Sequence, residues 1–462
     1  MSRRLYPVTI KDEGSTAKLL GITRRDVPLV SVTIECDGGH VLNPRPDMFG
    51  RISEKRDLPG LTNLAASLIG EGPRSMTPLE WHRSLDRAAI HLSVDASTLH
   101  WTACLQCLPE DLQRGLDLAG QCLLEPGLAA TEWKRIVKSY RASAKEQWAQ
   151  PFQVVGPLIA VQVLGYGHPN AHPAHEKSYC RARFEATSRM GENAFRGAQG
   201  VCATIGGDID ESEGFEALGA TIRRLVDDES GPGPGHGAHP IKEPEPRPAR
   251  NKIWILDHRK IDQVYFALGR LGVRAGEPDR IALRLANYML GGGGFSSRLM
   301  ARVRSEMGQT YGIQSWLGED EMMGLFAIQS FTKIDNIADM LRLIDDELDA
   351  IRQDGFTTDE LKAAQDHLHG ALPLSLTSPD DILMAAAGGL RAGLTIDQLE
   401  GDWPAIRDTG LEQVNEAAHR LIGESGFHLA LIGPEKQVGP QIRDRGDVAV
   451  FPFRYSPNRW RD

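Results

Sequence analysis

Cysteine is scarce, with six in 462 residues, too few and too scattered for a disulfide framework. Cys104 and Cys107 alone share CxxC spacing, whose functional readings would be a redox dithiol or half a zinc site, but no second CxxC follows. The run from Ser97 to Ala103 reads as a strand leading into them, so both thiols are expected to be small buried apolar groups. Long apolar runs are missing too. No segment approaches the roughly 18 to 20 residues of a membrane span, and the start, Met1-Ser2-Arg3-Arg4-Leu5-Tyr6-Pro7, lacks the apolar core of a secretory signal. The expectation is a cytoplasmic protein with no membrane partner. Nor is there a basic surplus. With 52 Lys and Arg against 62 Asp and Glu, the net charge of -10 argues against nucleic-acid binding and fits an acidic, solubilising surface.

What remains is ordinary globular composition, 41% hydrophobic and 25% charged, over a length that suggests at least two domains. The Pro/Gly density from Asp228 to Pro240, continuing through Glu243 to Pro248, cannot pack a core and reads as a linker. It divides the chain into an N-terminal domain, 1–227, a linker, 228–250, and a C-terminal domain, 251–462. Strand-like runs lie at Leu29 to Cys36 in the first half and at Lys252 to Leu256, Gln263 to Leu268 and Phe427 to Ile432 in the second. Leu61 to Gly72 and Leu283 to Gly294 both run an apolar-periodic helix into glycine ahead of a second helix and a strand, which suggests an internal repeat.

Four glycines, Gly291 to Gly294, precede Phe295-Ser296-Ser297-Arg298-Leu299, then Arg304 and Tyr311. Ser296 or Ser297 is a good helix N-cap, Leu299, Met300, Val303 and Met307 recur at helical spacing, and Gly308 is a plausible stop. Gln309 to Trp316 then reads as a strand. Arg304 thus falls late on a helix and Tyr311 at the mouth of the next strand. The glycines are not a phosphate cradle, because no Gly-Lys-Ser/Thr follows and the preceding Arg280 to Leu290 has helical period. They permit a sharp turn and close backbone approach. His168, His172, His175 and Glu176 are the densest set of possible ligands, but Pro169 and Pro173 put them on an irregular loop, and metal binding is not expected there.

The run Asp279, Ala282-Leu283, Leu290-Gly291-Gly292, Phe295 to Leu299, Val303 to Glu306 and Thr310-Tyr311-Gly312 resembles the C-terminal half of the pitrilysin, insulinase and mitochondrial processing peptidase family. The resemblance extends over nearly the whole chain, including Ala371 to Leu376 and Leu431 to Gly433. It implies an α+β fold of two homologous domains, each an antiparallel-rich sheet with helices packed on one side, forming half of a clamshell dimer. It also implies that Arg304 and Tyr311 hydrogen-bond the substrate carbonyl at the scissile bond, with Gly292, Gly293, Gly294 and Phe295 handling substrate.

Active members of that family carry His-x-x-Glu-His on an N-terminal helix, two imidazoles holding zinc and the Glu serving as general base. In Pro59 to Gly72 of this chain the first ligand is replaced by Asn63, the base by Ala66 and the second ligand by Ser67. A third, acidic ligand would fall some seventy to eighty residues on, where Glu132 and Glu146 do not match the pattern. The chain therefore resembles the zinc-free member of a two-subunit bacterial peptidase, with no cofactor of its own and zinc in a homologous partner. The expected substrate is an unfolded peptide that adds to a sheet edge. The alternative is a purely structural or peptide-binding pseudo-peptidase subunit, with no part in catalysis.

Overall fold

The computed structural model describes residues 4–13, 17–43, 58–166, 168–228, 252–307, 312–423 and 426–453. They pack as two compact units, neither continuous in sequence. One comprises Met1–Glu146, Pro173–Lys242 and Leu376–Gly388; the other comprises Gln147–His172, Glu243–Ser375 and Gly389–Asp462. Each half of the chain therefore lends a segment to the unit built mainly by the other, an exchange that the Pro/Gly stretch, outside the described residues from 229 to 251, gives no hint of.

In the first unit, β1 (Thr9–Glu13), β2 (Ala17–Thr23), β3 (Val30–Asp37), β4 (His91–Ala96), β5 (His100–Cys107) and β6 (Val201–Gly207) form a sheet of order β1-β2-β6-β3-β5-β4. The β2–β6 pair is parallel and the other pairs are antiparallel. Strand alternation sends Val30, Val32, Ile34 and Cys36 of β3, with Val201, Ala203 and Ile205 of β6, to one face. That face is covered by helices, among them α1 (Leu61–Ile69), α2 (Pro78–Arg87), α3 (Leu112–Leu124), α4 (Ala130–Trp148) and, after α5 (Pro151–Leu164) of the second unit, α6 (Glu176–Arg181), α7 (Phe184–Glu192) and α8 (Glu211–Val226). On the opposite face, Leu383 from the lent segment 376–388 seats on Gly206 of β6.

In the second unit, β7 (Ile253–Asp257), β8 (Gln263–Leu271), β10 (Ile313–Leu317), β12 (Leu325–Lys333), β13 (His428–Gly433) and β14 (Val448–Pro452) pair in the order β10-β12-β8-β13-β7-β14, while β9 (Val273–Arg274) and β11 (Glu319–Asp320) make a small parallel pair. The expected repeat is visible in the topology. Strands β7, β13, β8, β12 and β10 repeat the order and direction of β2, β6, β3, β5 and β4, starting with one parallel pair and ending on an edge. Two helices, α9 (Arg280–Asn287) and α10 (Arg298–Met307), then stand between β8 and β10 where α1 and α2 stand between β3 and β4.

Val264, Phe266 and Leu268 of β8 point into a core shared with α9, α10 and α11 (Ile337–Asp354). The alternate residues face α5, which lies across β8, β12 and β13. Gly269 makes room for it: a Cβ there would fall 2.4 Å from Cγ1 of Ile159. Nine residues of α5 are buried and its apolar residues run all round the helix, as suits one enclosed between layers.

Arg298 opens α10 and joins it to α12 (Thr358–Leu374). Its guanidinium donates to both oxygens of Glu360, at 2.5 and 2.7 Å, and to the Gly355 carbonyl at 3.0 Å. Burial opposes ionisation of Glu360, but Arg298 and the Thr357 capping donors outweigh it and hold the carboxyl at about 2. Because this folded-state value lies below the ordinary 4.5, the interaction stabilises the fold above pH 4.5 and fades as pH falls towards 2. Urea midpoints are expected to be lower for Glu360→Gln than for the native chain at pH 7, with the gap closing across that acid window.

Candidate functional site

The glycine-rich motif begins where α9 loosens. A π turn spans Tyr288–Gly292, a 3-10 turn spans Gly294–Ser296, and α10 starts at Arg298, so the helical period expected through Leu290 ends three residues early. The cause is contact with β10. A Cβ on Gly291 would lie 2.7 Å from the Ser315 amide nitrogen, and the Ser315 hydroxyl donates to Asn287 Oδ1 at 2.8 Å. Gly294, at φ 59°, then turns the chain with open space around it. The loop is tied by its serines, Ser296 donating to the Gly293 carbonyl at 3.1 Å and Ser297 to that of Gly294 at 2.7 Å. Ser297 also gives α10 its first helical acceptor, its carbonyl taking the Ala301 N–H.

This loop lifts Phe295 to the surface, 70% exposed, and the Arg304 guanidinium stacks on its ring, 4.0 Å from the centroid. Leu299, Met300 and Val303 anchor the other side of α10 in the core. Such a stack is worth about 0.5–1 kcal/mol at an exposed site. That suffices to bias Arg304 towards one plane while its N–H rim faces solvent. Gly292 and Gly294 are exposed beside the pair and Gly293 is half-buried, so backbone is open to an approaching chain. Tyr311, with Gly308, Gln309 and Thr310, lies outside the described residues.

In the first unit, Asn63, Ala66 and Ser67, the residues expected to stand in for a zinc motif, share α1. Gly60 precedes the helix at φ 83°, and the buried Asn43 side chain accepts the Thr62 N–H at 2.9 Å, satisfying one orphan donor of the first turn. Asn63 and Ser67, one turn apart, are half-buried, and Ala66 is buried. Two tyrosines that sequence reasoning did not single out complete the place. The Ser67 hydroxyl and the Tyr140 hydroxyl of α4 are 2.9 Å apart, and the Tyr140 ring lies 5.3 Å from that of Tyr179 on α6.

This donor set does not fit zinc, which takes imidazole, thiolate or carboxylate ligands. Asn63 offers an amide, Ser67 a hydroxyl and Ala66 nothing. The carboxylates considered from sequence are engaged or turned out, Glu132 accepting from Arg135 at 2.8 Å and Glu146 being exposed, and Glu71, just past α1, pairs with Arg135 as well. Among the described residues no group of three His, Cys, Asp or Glu side chains could hold a metal ion.

The remaining candidates have structural explanations. Cys104 and Cys107 stand three apart on β5 and so point to opposite faces, and burial raises both thiols, Cys107 to about 11. His168 and His175 each accept a backbone N–H two residues on, as caps of short helical turns. Burial, with Lys177 beside it, lowers His175 to about 4. No helix among the described residues is long and apolar enough to cross a membrane.

Comparison with known proteins agrees with this reading of the fold. Residues 195–368 match the family described as the peptidase M16 inactive domain. An uncharacterized zinc protease, YmxG of Bacillus subtilis, is 22% identical over 389 residues, which cover 83% of this chain and 91% of that one. A non-peptidase homolog, YmxG of Helicobacter pylori, is 21% identical over 385 residues, covering 82% and 86%. The crystal structure of a peptidase M16 inactive domain from Pseudomonas fluorescens superimposes with a TM-score of 0.78 at 22% identity, over 96% of this chain and 99% of that one.

Proposed function

We propose that this chain, whose residues 195–368 match the peptidase M16 inactive domain and which is similar over most of its length to YmxG of Bacillus subtilis, is the non-zinc-binding subunit of a heterodimeric zinc metalloendopeptidase of the pitrilysin-like M16 family. A homologous partner supplies zinc, the bound water and the Glu base; zinc there polarises the carbonyl and lowers the pKa of its water. This chain supplies Arg304 and Tyr311, which donate to the carbonyl oxygen of the scissile peptide as negative charge gathers on it. Substrate enters extended and adds to a sheet edge, so that backbone hydrogen bonds give affinity with little sequence preference. Strands β4 and β10 each close one end of their sheet.

One observation carries this reading. The Arg304 guanidinium is held on an exposed aromatic ring beside open glycine backbone, whereas the helix that would bind zinc has no ligand left. A cation kept in place at the surface, next to a surface phenylalanine, is costly decoration for a merely structural subunit and useful equipment for a donor. The test is to recover the tagged chain with its partner and assay each subunit and the mixture on an unstructured peptide. Zinc is expected in the partner alone, and cleavage in the mixture alone. An associated mixture in which the partner cleaves equally well without this chain would favour the structural role instead.

A further inference from the structure

We infer that Tyr140 occupies the space a metal ligand at position 67 would need, so that a hydroxyl lock between α1 and α4 closes this helix to zinc. The inference rests on the reading of the chain as the zinc-free subunit, and it goes further: lost ligands leave a vacancy that could be refilled, whereas a lock does not.

The Tyr140 hydroxyl is 2.9 Å from Ser67 Oγ, the first atom beyond Cβ. An imidazole at position 67 would put its ring where that phenol stands. Tyr140 is also hemmed in, since its ring lies against Tyr179, which is 5% exposed. Tyr179 in turn presses on Gly60, where a Cβ would fall 2.7 Å from its hydroxyl oxygen. The left-handed glycine that begins α1 thus admits Tyr179, Tyr179 backs Tyr140, and Tyr140 ties Ser67. The lock joins α1 to α4 and α6, a cross-link between helices of the kind a metal ion makes.

The test uses the full chain and zinc itself. Asn63→His/Ala66→Glu/Ser67→His, with Tyr140 intact, is expected to bind zinc at least about tenfold more weakly than the same chain with Tyr140→Ala added, neither having a third ligand. Tyr140→Glu in place of Ala should retain about one equivalent after dialysis and melt higher with zinc than without. Equal zinc affinity with Tyr140 and with Ala would overturn the inference, as would stoichiometric zinc in the triple variant or a folded Tyr140→Glu variant that stays empty. A double-mutant cycle keeps the matter decidable if the fourfold variants do not fold. Ser67→Ala and Tyr140→Phe should each lower the melting temperature, and the pair together should lose little more than either alone; additive losses would mean that no lock exists. Stoichiometric zinc in the native chain is a different result, and would sink the proposed function rather than the lock alone.

Discussion

In the reconstituted heterodimer, Arg304→Ala is expected to lower kcat by about two to three orders of magnitude, the loss usual for one donor to a developing oxyanion. KM should change little. In the proposed role the guanidinium would matter most once charge has formed on the carbonyl oxygen, so its removal would weaken the transition state more than the bound substrate. Tyr311→Phe should act in the same direction, and both changes together should cost about two to five orders, because donors to one oxygen are partly non-additive. Phe295 separates the stacking of Arg304 from its donation. Replacing it with Leu removes the ring under Arg304 but no donor, and should cost only the roughly 2- to 5-fold that corresponds to about 0.5–1 kcal/mol of stacking, with Phe295→Trp close to native. Steady-state kinetics on size-selected heterodimer measure all of these. Unchanged kcat for both Arg304→Ala and Tyr311→Phe, with zinc still in the partner, would leave the structural subunit as the better account.

The same residues show what could be read from sequence and what could not. The helix from Arg298, its apolar seam of Leu299, Met300 and Val303, and the following strand were legible because local spacing dictates them. The repeat was legible for the same reason, each half writing out helix, glycine, helix and strand. Asn63, Ala66 and Ser67 carry the expectation of missing zinc chemistry by residue type alone. Tyr140 did not announce itself. It lies 73 residues from Ser67, in a stretch where a carboxylate was sought, and nothing in its neighbours marks it as the group that meets α1. The stack of Phe295 on Arg304 depends on how Gly294 turns, and the π turn depends on Ser315 of β10; both are tertiary facts. The exchange of segments was hidden most completely, since Gln147 to His172 reads as an ordinary continuation of the first half.

That exchange makes a strong prediction about fragments. A chain of residues 252–462 alone lacks α5 and should fail to form a cooperative fold. Nine residues of α5 are buried, among them Val154, Val155, Leu158, Ile159 and Leu164. At roughly 1.5–3 kcal/mol for each large aliphatic side chain, an upper estimate, their loss rivals the 5–15 kcal/mol that typically holds a whole domain together. The sheet face they cover, including Ala267, Gly269 and Ala430, would be bared to water. Residues 1–228 should also fold poorly, carrying an unpaired apolar helix and missing the segment that seats Leu383 on Gly206. Co-expressed, the two fragments should co-elute as one folded complex, because each carries the piece the other lacks, and a 252–462 fragment with 147–172 fused to it should regain a sigmoidal urea transition. Size exclusion with near-ultraviolet circular dichroism distinguishes these outcomes. A monomeric, cooperatively unfolding 252–462 would mean that α5 is dispensable and that the Pro/Gly stretch is a true domain boundary. The expected result would mean instead that each half of the chain depends on a segment of the other for its own fold.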